Sequence, residues 1–377
     1  VQALSGQGGW PMSVFLTPQG EPFYGGTYFP PEDRGGHPAF PGVLQAVAEA
    51  YRNHRGQVSL AARQVSEALR RASEVRASRE PLTPDIFHQA AQRIGSEFDS
   101  RYGGFGTAPK FPQPMVLEFL LRHWRRSGDQ GALQMVERTL EGMAYGGIYD
   151  QVGGGFHRYS TDPFWLAPHF EKMLYDNALL SRLYLHTYQA TGRPLYRRIA
   201  EETLDYVLRE MTVPEGGFYS TQDADSEGHE GRYYVWTPDE LASVLGKEDG
   251  QQFGRVFGVT LEGNFEGRSI LSLPRPPEEA ARELGMTPGE LAAFVSSCRA
   301  RLLAARARRT PPARDEKALA AWNGLMLRSF AEAGASLGRR DYIAAAERSA
   351  DFVLDNLRIN GRLMRSYKDG RANHKGY

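Results

Sequence analysis

Residues 177–210 read NALLSRLYLHTYQATGRPLYRRIAEETLDYVLRE, and residues 323–356 read NGLMLRSFAEAGASLGRRDYIAAAERSADFVLDN. A constant offset of 146 pairs Asn177 with Asn323, Leu179 with Leu325, Gly192 with Gly338 and Tyr196 with Tyr342. It also pairs Asp205 with Asp351, Tyr206 with Phe352, Val207 with Val353, Leu208 with Leu354 and Ser220 with Ser366. Each copy reads as a helix, a glycine-containing turn, a second helix and a polar loop. A fainter copy runs from Met115 to Gly147, where Gly128, Thr139 and Leu140 align with Gly192, Thr203 and Leu204 at an offset of 64. Tyr196, Ile199, Ala200, Thr203 and Val207 form one stripe at helical spacing, which predicts helix–helix core. A hairpin that cannot bury its apolar face alone and recurs along the chain predicts a repeat array.

Gly-Gly-aromatic turns at Gly103-Gly104-Phe105, Gly154-Gly155-Phe156 and Gly216-Gly217-Phe218 punctuate the array. Each closes or follows a hairpin and leads into polar, aromatic-rich sequence. Loops this long favour a closed ring with a polar bowl over an open superhelical stack, whose connections are short and uniform.

Composition narrows the function classes. The 377 residues are 41% apolar and 24% charged, with 45 Lys+Arg against 45 Asp+Glu. No global basic field exists to steer nucleic acid, and no apolar run reaches membrane-span length. The one cysteine, Cys298, rules out an intrachain disulfide or a cysteine-rich zinc site, and a reducing, cytoplasmic setting is expected. Cys298 lies beside Val295 and Leu302 at helical spacing and is expected in the core. The ends look cut, with Val1 first and Tyr377 following a polar turn, so a fragment is expected. PMSVFLT and EPFYGGTYFP, in residues 11–30, predict an antiparallel hairpin turning at Pro18–Glu21. Residues 42–72 predict one helix, and the stretch ending at Pro84 predicts a boundary.

GQGGWPMSVFLTPQGEPFYGGTYFPP (residues 6–31), YDQVGGGFHRYSTDPFWLAPHFEKMLYDNALL (149–180), GGFYSTQDADSEGHEGRYYVWTPDEL (216–241) and RDEKALAAWNGLM (314–326) carry a resemblance covering essentially the full chain. It resembles the spermatogenesis-associated protein 20 family. The resemblance implies a mostly α protein, in which a thioredoxin-like α/β domain precedes an (α/α)6 toroid similar to N-acylglucosamine 2-epimerases and six-hairpin glycosidases. No settled activity comes with it. On this basis residues 1–80 are expected to be the C-terminal part of the thioredoxin-like domain. Residues 84–377 are expected to be the toroid, lacking its last hairpin. The resemblance also implies a Cys-x-x-Cys motif, which is missing here and would lie upstream of Val1. It puts Pro11 at the position of the cis-proline facing that redox pair.

The richest polar segment runs from Asp150 to Asp176. His157, His169, Glu171 and Asp176 are the candidate catalytic acids and bases. Asp150, Gln151, Tyr159, Trp165 and Tyr175 are expected to bind substrate, the aromatic rings as flat faces for a pyranose. Read as a helix, the segment cannot put His169 and Glu171 on one face, so only one of them is expected beside Asp176. The competing reading has Asp162-Pro163 and Pro168 capping and orienting a helix, with His169 and Glu171 bonding loop backbone.

Asp223 and Asp225 alternate along an extended loop, so both fall on one side, where they either bond sugar hydroxyls as substrate-binding residues or form a solvated turn. A calcium loop is excluded by Tyr234 at position twelve, and a zinc-protease pattern fails at Tyr233. Asp315, Trp322 and Asn323 complete the substrate-binding candidates, although the recurrence of asparagine at 177 and 323 equally suits a helix-start residue that bonds a neighbouring loop. The arginines between Arg299 and Arg314 read as a solvated basic face without interleaved aromatics. No metal site or phosphate- or dinucleotide-binding motif is found, so no cofactor is expected. The expected function is acid/base work on a sugar-like small molecule, by an epimerase- or glycosidase-like enzyme. The alternative is a thiol–disulfide protein whose toroid only binds clients.

Overall fold

The structure is a computed structural model that describes the chain except Gln7, Trp10, residues 75–80, Leu82 and Tyr377. The chain divides into two compact units, Val1–Leu82 and Thr83–Tyr377.

In the first unit, α1 (Gln2–Ser5) precedes an antiparallel pair, β1 (Ser13–Leu16) and β2 (Pro22–Gly26), with Ser13 opposite Gly26. The expected single helix is two, α2 (Phe40–Asn53) and α3 (Arg55–Ser73). His54 breaks the run at φ −126° and ψ 38°. With no proline or glycine at that position, the periodicity of residues 42–72 did not betray the break. Val43, Val58 and Ala62 bury the inner faces of the two helices. The Trp10–Pro11 bond lies outside the described residues.

In the second unit, α4 (Asp85–Gly95) flanks a first hairpin, α5 (Pro114–Ser127) and α6 (Gln130–Tyr145). The next loop carries β3 (Tyr159–Ser160), β4 (Pro168–His169) and β5 (Lys172–Met173), and then comes the hairpin α7 (Leu174–Thr191) and α8 (Pro194–Glu210). Beyond it lie β6 (Thr221–Gln222), β7 (Asp225–Ser226) and β8 (His229–Glu230). An inserted helical layer follows: α9 (Pro238–Leu245), α10 (Lys247–Val256), α11 (Pro277–Glu283) and α12 (Pro288–Arg306). After β9 (Arg314–Asp315) and β10 (Ala318–Leu319) comes the hairpin α13 (Ala320–Leu337) and α14 (Arg340–Asn356). The described chain ends in β11 (Arg358–Ile359), β12 (Arg362–Lys368) and β13 (Arg371–Lys375). The protein is mostly α.

The first helices of the hairpins touch in the order α5, α7, α13, and each second helix packs behind its own partner. This is an arc of an (α/α) toroid. Its shared core includes Leu120, Leu183, Tyr184, Phe330 and the expected stripe from Tyr196 to Val207. The glycines aligned by the repeat, Gly128, Gly192 and Gly338, end α5, α7 and α13 in the left-handed conformation. The inserted helices keep a separate core around Leu241, Phe253, Leu291 and Leu302 and include Cys298.

Each Gly-Gly-Phe turn docks on the second helix of the hairpin that comes after it. A Cβ at Gly103, Gly154 or Gly216 would strike the backbone at Arg138–Thr139, Glu202 or Arg348 respectively. Positions 138, 202 and 348 are one register of the repeat. All three glycines also have positive φ (75°, 77° and 107°), so the turn needs glycine for shape and for clearance. The repeated asparagines finish the joint. Asn177 Oδ1 accepts the Phe156 amide at 2.7 Å while its Nδ2 donates to Phe156 O at 3.1 Å and Met173 O at 2.9 Å. Asn323 repeats the pattern on Phe218 (2.7 and 3.0 Å) and Leu319 (3.0 Å).

Candidate functional site

The loop between α6 and α7 is extended, not helical. Tyr159 pairs with His169 across β3 and β4, and Lys172 with Gln222 across β5 and β6. Asp162 caps no helix. Its carboxylate caps a tight loop by accepting the amides of Phe164, Leu166 and Ala167 at 2.8, 3.2 and 2.6 Å. In extended chain, residues two apart point the same way. His169 and Glu171 therefore stand together, Nε2 to Oε2 at 3.7 Å, which corrects the exclusion drawn from helical spacing.

Around this pair the structure assembles one partly exposed cluster. Arg158 donates to Glu171 Oε2 at 2.6 Å. His169 Nδ1 lies 2.7 Å from Glu230 Oε1, brought in by β8. The Tyr159 ring stacks on His169 at 5.2 Å, and Tyr175 meets Trp322 at 4.8 Å. Asp176, in the first turn of α7, completes the group. Its Oδ2 is buried without a hydrogen-bond partner, and its carboxyl is pushed up to about 7. Burial is the main cause and the Glu171 charge adds to it, while Arg158 and the Tyr175 hydroxyl pull the other way.

The remaining candidates fall elsewhere. Asp150 is buried and accepts Lys172 Nζ at 2.9 Å and an Arg306 guanidinium nitrogen at 2.8 Å. Those two cations hold its carboxyl well below the usual carboxylate range against the opposing effect of burial. His157 is enclosed by Phe170 and Tyr234, with Nδ1 2.9 Å from Phe170 O. Burial drives its imidazole down to about 3, so it is neutral at physiological pH. Gln151 donates to Ala144 O and Gly146 O, both at 2.9 Å. Trp165 is fully buried and donates its indole N–H to Tyr102 O at 3.1 Å, so its ring offers no open face. The Asn323 side chain is spent on the Phe218 loop. Asp223 and Asp225 are exposed while Gln222, Ala224 and Ser226 are buried, which is the one-sided alternation expected. Asp315 sits 3.0 Å from Lys317 Nζ.

Two participants escaped the sequence reading. Glu230 carries no local signal for its pairing with a histidine 61 positions earlier. The arginine run is not a solvated face. Arg306 is fully buried over Tyr233 and Tyr234, Arg309 lies over Trp236, and Arg299 donates to both oxygens of Glu202 at 2.6 and 2.9 Å. The aromatics that receive these arginines come from residues 233–236, so none shows within the run itself.

Comparison with known proteins gives the lineage. A family model described as Thioredox_DsbH, protein of unknown function DUF255, matches residues 1–70, which gives the first unit its thioredoxin-like assignment. Human spermatogenesis-associated protein 20 is 39% identical over 98% of this chain. The chain belongs to the spermatogenesis-associated protein 20 family. It spans about half the length of the curated relatives it matches, 51% in the human case. Among solved structures, it is similar to a sugar epimerase from a ruminal bacterium (TM-score 0.33, 12% identity, 77% of this chain and 92% of that one). It is also similar to a family 76 α-mannanase from Bacteroides thetaiotaomicron (TM-score 0.34, 10% identity, 78% and 74%).

Proposed function

We propose that the cluster of Arg158, His169, Glu171, Asp176 and Glu230 performs acid/base chemistry on a small polyhydroxylated, sugar-like molecule. The observation that carries this reading is Asp176, a buried carboxyl beside Arg158, Glu171 and Tyr175, whose Oδ2 has no hydrogen-bond partner and whose titration is pushed up to about 7. In this reading Asp176 delivers a proton. His169, oriented through Nδ1 by Glu230, takes one at Nε2. Arg158 fixes Glu171 and balances charge as the proton moves. Tyr159, Tyr175 and Trp322 supply apolar faces for a ring. Epimerisation and glycosidic hydrolysis both need such an acid and base.

The test is turnover of a panel of aldoses and disaccharides by the full-length protein, followed by proton NMR. Asp176→Asn and His169→Gln should each lower kcat by about 10²–10⁴ with little change in KM. Undiminished turnover in Asp176→Asn would overturn the assignment.

The thioredoxin-like match favours a second reading, a thiol–disulfide protein whose toroid recognises clients. Cys298, the only cysteine of this sequence, is buried, so in that reading the dithiol comes from outside these 377 residues. Insulin reduction by the full-length protein that survives Asp176→Asn and is lost when that dithiol is changed to serine would favour it.

A further inference from the structure

A second cavity, of about 520 Å³, opens between the hairpin helices α6 and α8 and the inserted helices α10–α12. None of the acid/base cluster lines it. Its walls are apolar, with Leu195, Val256, Phe257, Leu273, Leu291 and Val295. Its charged lining is Arg193, Arg198 and Arg299 with Glu202 and Glu278.

The arginines differ in what they already hold. Arg299 grips both oxygens of Glu202, which also accepts the Tyr149 hydroxyl. Arg193 is taken by Glu137 and Glu141 at 3.1 and 2.5 Å. Among the described residues, the carboxylate that Arg198 reaches is Glu202, shared with Arg299; its contacts to both oxygens are long, 3.4 Å each, and its side chain is 43% exposed. Among the three lining arginines it holds its carboxylate at the longest distance. A cavity of this size, greasy along its walls and with one loosely held, partly exposed guanidinium, has the make-up of a small-molecule site.

We propose that this cavity binds a small amphipathic monoanion, a medium-chain or aryl carboxylate. The apolar body lies against Val256, Phe257, Leu291 and Val295, and the carboxylate takes a forked pair of hydrogen bonds from Arg198.

Isothermal titration of the chain with sodium decanoate, with 1-decanol as the neutral control, tests this. The wild type should bind one equivalent of decanoate at least 10-fold more tightly than decanol. Arg198→Glu should remove that preference while leaving decanol binding unchanged. Ala292→Trp, an exposed lining position on α12 where a larger side chain fills the space without entering the core, should abolish binding of both. Circular dichroism checks that each variant is folded. Absence of decanoate binding, equal affinity for the two probes, or a decanoate affinity unmoved by either substitution would overturn the proposal.

Discussion

Asp176 keeps its proton because burial outweighs the pull of Arg158 and the Tyr175 hydroxyl on its carboxyl, whose Oδ2 has no hydrogen-bond partner. The positive end of α7 favours the anion by only about 0.3–1 kcal/mol, too little to offset that burial. The folded protein thus binds a proton that the unfolded chain releases between the ordinary 3.8 and about 7. Stability therefore falls as pH rises through that window, by up to about 1.4 kcal/mol per unit. Asp176→Asn should remove this slope and be more stable than wild type at pH 8, with the advantage gone by pH 4; urea denaturation at the two pH values reads it. His157 titrates in the opposite sense. The unfolded chain takes up its proton below 6.5, whereas the folded protein resists until about 3. Stability should decline on acidification across that interval, and His157→Gln should flatten the decline whatever it costs at neutrality. Both residues were legible as polar groups in one loop. Which one is walled in by aromatics and which one faces the cluster was not, because Tyr234 and Trp322 arrive from distant sequence.

At the scale of the element, two signals that looked separate in the sequence are one joint. The Gly-Gly turn lies flat on an outer helix, and an asparagine in the first turn of an inner helix clamps the following phenylalanine by both its N–H and its C=O. Asn177→Ala would strand the Phe156 amide and carbonyl in the core and should cost about 3 kcal/mol. Asn323→Ala should cost a similar amount at Phe218, with both read by chemical denaturation. A loss below about 0.5 kcal/mol in both would mean that the clamp does not hold the turn. Helix periodicity and the recurrent glycine located the hairpins well. The sequence reading failed at the short strands, because two-residue pairs such as Lys172–Met173 with Thr221–Gln222 have no local periodicity and exist only through their partners. That failure is why His169 and Glu171 were placed on opposite sides.

Across the second unit, Asp150, Lys172 and Arg306 tie the hairpin arc to the inserted helices. The triad buries two cations and one anion, with the Lys172 ammonium 4.2 Å above the Tyr206 ring. Asp150→Asn should therefore be among the most damaging single changes, at about 3–5 kcal/mol, because it leaves both cations without a counter-ion. A cooperative thermal melt shifted by only a degree or two would contradict that. Repeat period, hairpin boundaries, the glycine turns and the pool of polar candidates were all written in local order, since helical spacing and left-handed turns depend on neighbours within a few positions. The division of that pool was settled only by folding. Burial, ion pairing and the loss of water around a carboxyl depend on residues as far as 61 positions away for His169 and Glu230 and 156 for Asp150 and Arg306, and no local pattern encodes which of them will meet.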